Sequence, residues 1–119
     1  MRKNERRCSS SRAQADDEQE KHLIALESRF GRALSCGLNK LIEPTIDGEL
    51  QDLIRAEIHV LVRLRSTARI LLTKRASNER GEVAANLSAF FQRWVSGGGL
   101  RWIGNLEDLD HVHFSSHQH

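Results

Sequence analysis

An all-α fold follows from three features of the chain: apolar residues at helical spacing in three stretches, one proline among 119 residues, and charge that changes sign in blocks. Apolar positions three and four apart line one face of a helix. Proline is the residue that breaks a helix interior, and a single copy leaves long stretches free of it. The charge runs basic from Arg2 to Arg12, acidic from Asp16 to Glu27, basic from Arg29 to Lys40, acidic from Glu43 to Glu57 and basic from Arg63 to Arg80. Each long candidate helix thus starts acidic and ends basic, the order its dipole favours. Folded back antiparallel, the acidic start of one lies beside the basic end of the other. The predicted architecture is a long antiparallel helical hairpin with a third, shorter helix packed against it and flexible tails at both ends.

Residues 1–12 read as a flexible basic arm. Ser11 and Gln14 have the spacing of a capping box, which places a helix start there. The apolar residues that follow include Leu23, Leu26, Phe30, Ala33, Leu34, Leu38 and Leu41. Gly31 and Gly37 each weaken this helix by roughly 1 kcal/mol relative to Ala and open a route for close approach of a partner. Pro44 ends it. Asp47 is then placed to cap a second helix, whose stripe runs through Leu50, Leu53, Ile54, Ile58, Leu61, Leu64, Ala68 and Leu71. Val60, Val62 and Ile70 widen this apolar surface beyond what one partner helix covers, so a third helix or a second subunit is expected over them. Glu57 falls inside the apolar sector, and Lys40 or Arg32 on the first helix is its expected partner.

Ala76 to Gly81 reads as a polar break. A shorter helix is predicted from about Glu82 to Val95, with Val83, Leu87, Phe90, Phe91 and Trp94 on one side. Gly97-Gly98-Gly99 stops it. Leu100-Arg101-Trp102-Ile103 has three readings: a short strand, a helical turn, or an extended segment that plugs the end of the bundle. The domain is set at 13–104, a size that supports one modest core, with a polar tail at 105–119.

No apolar run approaches the roughly 20 residues of a membrane span, and the basic N-terminus lacks the apolar stretch of a secretory signal. Cys8 and Cys36 read as free thiols of a reducing compartment, and the expected location is the cytoplasm. No phosphate-binding glycine loop with lysine, dinucleotide-binding glycine spacing or nucleophile elbow is present, so the chain reads as a non-enzyme without a cofactor. The tail carries His111, His113, His117 and His119. Residues two apart project to one side of an extended chain and can chelate a metal. Nothing preorganises such a site, and no metal is assigned.

The leading function is that of a helical interaction or regulatory protein. Its contact surface is Val60, Val62, Ile70, Phe90, Phe91 and Trp94, and its partner is another protein or a second copy in a homodimer. The alternative is a nucleic-acid-binding accessory protein. It would hold phosphates with Arg2, Lys3, Arg6 and Arg7 of the arm and with Arg63, Arg65, Arg69, Lys74, Arg75 and Arg80 at the end of the second helix. The plainer reading of that block is a solvated face paired with the acidic start of the first helix. A net charge of only +2 gives weak support to nucleic acid.

Overall fold

The computed structural model describes residues 2–106 and 109, with side chains from residue 16 onward. Three helices form: α1 (Arg2–Leu41), α2 (Gly48–Leu72) and α3 (Asn78–Ser96). The helical path of α1 begins at Arg2, ahead of the start expected near Ser11. The reason is composition. Neither glycine nor proline occurs before Gly31, and Arg, Lys, Glu, Gln and Ala are strong helix formers. At 40 residues, α1 is roughly 60 Å long and accounts for most of the 68 Å long axis.

Pro44 acts as expected, since the residue before a proline is pushed out of the helical region. Asp47 occupies the N-cap of α2 with extended backbone, but its side chain makes no capping bond. Its carbonyl accepts from Gln51 N–H at 2.9 Å. The break before α3 is shorter than expected. Ser77 is the N-cap, its hydroxyl accepting from Arg80 N–H at 3.0 Å, so α3 starts at Asn78 rather than near Glu82. Gly81, taken as part of the break, sits inside the first turn.

The register follows from which residues meet. Glu27 faces Arg65, and a side-chain carbon on Gly37 would meet Ile58 at 3.0 Å. Numbers rising on α1 pair with numbers falling on α2, so the hairpin is antiparallel. Glu20 meets Arg80 and Phe30 meets Phe91, so α3 runs parallel to α1. The main core gathers Leu26, Phe30, Ala33, Leu61, Leu64, Ala68, Leu87 and Phe91. Phe91 stands edge-on to Phe30 at 5.0 Å and to Trp94 at 6.2 Å, an arrangement that suits the ring quadrupoles. Leu23, Leu71 and Ala84 form a smaller cluster toward the other end.

After α3 the chain turns at Gly97–Gly99 and crosses the end of the bundle. Leu100 is fully buried, while Trp102, Ile103 and Leu106 pack against the core and Leu109 joins it. Of the three readings for Leu100–Ile103, neither the strand nor the extended segment forms: the stretch is a turn, closed by Ile103 N–H to the Leu100 carbonyl at 3.0 Å, and it is this turn that packs on the core. Apolar packing continues through Leu109, past the boundary expected at 104.

The two glycines of α1 differ. At Gly31 an added methyl meets Arg65 Nε at 3.5 Å, an ordinary contact, whereas at Gly37 it meets both Ile58 and Trp102 at 3.0 Å. Thermal unfolding followed by circular dichroism is therefore expected to show Gly31→Ala stabilised by about 0.5–1 kcal/mol. Gly37→Ala is expected to be destabilised despite the same gain in helix propensity.

Candidate interaction surface

The matched charge blocks meet in part. Arg65 Nε donates to Glu27 Oε2 at 3.3 Å, and Arg69 lies 3.9 Å from the other oxygen of the same carboxylate. One acidic residue of α1 thus faces two arginines of α2. These groups are partly solvated, so the contribution is modest, about 1 kcal/mol or less. Lys21 pairs with Asp17 and Lys40 with Glu43, both within a local stretch of chain.

Arg80 is buried, with 4% of its surface exposed. Its guanidinium donates to Gln19 Oε1 at 2.5 Å, to the Leu71 and Lys74 carbonyls at 3.1 and 2.6 Å, and to Glu20 Oε1 at 3.0 Å. Leu71 lies in the last turn of α2, where its carbonyl also accepts from Lys74 N–H at 3.1 Å, and Lys74 follows just beyond the helix. Gln19 also donates to the Ser77 carbonyl at 3.0 Å, which closes the network around the start of α3. Arg80 therefore joins all three helices. Its assignment as a phosphate ligand is corrected: four of its five guanidinium N–H groups are used internally and its head group is inaccessible. Only the rigid fork of an arginine reaches this many acceptors at once.

Glu57 is likewise buried at 9%, but its expected pairing with Lys40 or Arg32 does not form. The carboxylate instead accepts from Leu100 N–H, at 3.2 and 3.3 Å to its two oxygens, and from the Trp102 indole N–H at 2.6 Å. The segment after α3 supplies these neutral donors. Bonds to a charged acceptor contribute about 1.5–3 kcal/mol each. They hold Leu100 at a φ of 62°, in the left-handed region that costs a non-glycine residue about 1–2 kcal/mol.

The residues expected at a contact surface separate into two groups. Phe91 is buried in the core, and Val60 and Trp94 are half-buried against it. Phe91 is thus internal, while Val60 and Trp94 keep part of their surface in solvent. Val62, Ile70 and Phe90 are exposed at 44%, 55% and 44%. Ile24, Leu38, Ile42, Leu53 and Val83 are exposed as well, although helical periodicity placed Leu38, Leu53 and Val83 on the apolar stripes. Of the basic block, Arg63, Lys74 and Arg75 are exposed without an ion pair among the described residues. The side chains of Arg2, Lys3, Arg6 and Arg7 lie outside the described residues, as do His111, His113, His117 and His119.

A groove of about 730 Å³ runs along α1 beside Trp102–Asn105. It contains the exposed free thiol of Cys36, and Glu27, Lys40 and Glu43 also line it. Among the described residues no group of His, Cys, Asp and Glu is arranged to hold a metal, and no helix is long and apolar enough to cross a membrane. Comparison with protein-family models, with curated proteins and with solved structures returns no match.

The Arg80 network makes a direct prediction. Arg80→Lys keeps the charge but leaves carbonyl and carboxylate acceptors unmet. Urea denaturation is expected to show a loss of about 2 kcal/mol. Unchanged stability would mean that the network contributes no more than a surface pair.

Proposed function

We propose that this chain is a small non-enzymatic helical protein that works through helix–helix contact and associates with itself. One observation carries the reading: α3 packs on the hairpin without covering Val62 and Ile70, and it adds exposed Val83 and Phe90 of its own. A fold this small has one helix left over to shield α2, and that helix is already placed. Large apolar side chains left in water by a folded chain mark a surface that another molecule covers. A second copy meets the requirement with no further component, and symmetric homo-oligomers are the common outcome for such surfaces.

A phosphate-gripping role draws less support. Arg65 and Arg69 face Glu27, and Arg80 is internal. Exposed Lys74 and Arg75 share their surface with Asp16, Asp17 and Glu20, which repel phosphate.

Light scattering at micromolar concentration is expected to give a dimer. Ile70→Glu should convert it to a folded monomer with helix content retained, because that side chain lies outside the core. Val60→Glu, by contrast, should damage folding, since Val60 packs against the core. A monomer up to millimolar concentration overturns the self-association. For the second reading, duplex DNA at physiological salt is expected to bind no more tightly than the roughly micromolar range of non-specific contacts. Nanomolar binding that falls steeply with salt would reverse the choice between the two.

A further inference from the structure

We propose that residues 97–106 form a strap that opens as a unit from an otherwise intact hairpin, with Glu57 as its catch. Four features lead there, and none depends on self-association.

The first is a hinge. Gly97, Gly98 and Gly99 are consecutive, and Gly98 has a φ of 103°, which glycine alone adopts without strain. Gly99 is buried with the Trp94 ring where a side chain would stand, 2.5 Å from the position of an added carbon. The strap therefore closes only because glycine occupies that position.

The second is the way the strap is bonded. Four of its main-chain hydrogen bonds run to the end of α3 or within itself: Gly97 to Arg93, Gly98 to Val95, Gly99 to Trp94 and Ile103 to Leu100. These persist when the strap leaves the hairpin. Leu100 N–H and the Trp102 indole do cross to the hairpin, and both converge on the Glu57 carboxylate. One group thus holds two separate points of the strap, and loss of its charge weakens both together.

The third is stored strain. The left-handed backbone at Leu100 is kept only while the burial of its side chain and the Glu57 bond hold it. Strained residues of this kind gather at clamps and switches. The fourth is the independence of the remainder. The start of α3 is anchored at the opposite end by Arg80, and the hairpin keeps its own seam between Glu27 and Arg65. Opening uncovers part of the core to which Leu100 and Trp102 belong together with Phe30, Leu61 and Phe91.

Native-state hydrogen exchange on the full chain tests this. Amides of 97–106 are expected to exchange at least about tenfold faster than those around Leu61, through an opening distinct from global unfolding. Glu57→Gln keeps the shape but replaces one acceptor oxygen with a donor. It should speed exchange in the strap by about a further tenfold while leaving α2 amides unchanged. Trp102→Phe, which keeps the ring and removes one donor, should act in the same place with a smaller effect, and it serves if Glu57→Gln does not fold. A strap that exchanges only at the global rate overturns the proposal. So does acceleration that is equal across the whole chain in both variants.

Discussion

A charged group taken out of water must be met at its donors or acceptors, and this chain closes around two such groups. Arg80 and Glu57 are the buried ionic side chains among the described residues, and they sit toward opposite ends of the bundle. Arg80 donates to the Leu71 and Lys74 carbonyls at and just beyond the end of α2 and reaches Gln19 and Glu20 of α1. Glu57 answers a backbone amide and an indole of the segment beyond α3. Apolar packing alone tolerates sliding by a turn. These two networks do not, because a shift of one turn would leave buried polar atoms without partners. Among the described residues, no buried side-chain nitrogen or oxygen lacks one.

Between those ends the core is thin. Phe30 and Phe91 supply its largest contact, and Gly37 lets Ile58 and Trp102 come close to the α1 backbone. A layer of this depth leaves the outer sides of α2 and α3 in water, including Ile70 and Phe90. The same geometry that limits the core therefore creates the surface on which the proposed association rests.

The basic block illustrates how tertiary structure redistributes a linear charge pattern. Arg63, Arg65, Arg69 and Arg80 lie close in sequence, yet helical phase and the turn after α2 send them to different fates. Two face one carboxylate at the hairpin seam, one is internal, and Arg63 is exposed. Of the ten residues of the basic set, Arg63, Arg69, Lys74 and Arg75 keep exposed side chains among the described residues.

Helical periodicity, the single proline and the glycine triplet determined the all-α hairpin, the turn at Pro44 and the end of α3, because each is a local property of backbone and side-chain spacing. The pairing of basic with acidic segments was also legible, since antiparallel folding follows from a short turn. Partner choice for isolated charges was not. Glu57 was expected to find a lysine or arginine of α1, and it found neutral N–H donors far along the chain instead. Arg80 looked like one more surface cation, and only its burial against the end of α2 made it structural. The same holds for Phe91, exposed and available in a linear pattern but internal in the bundle. Such outcomes depend on which atoms arrive together once three helices are docked, and no window of sequence contains that distance.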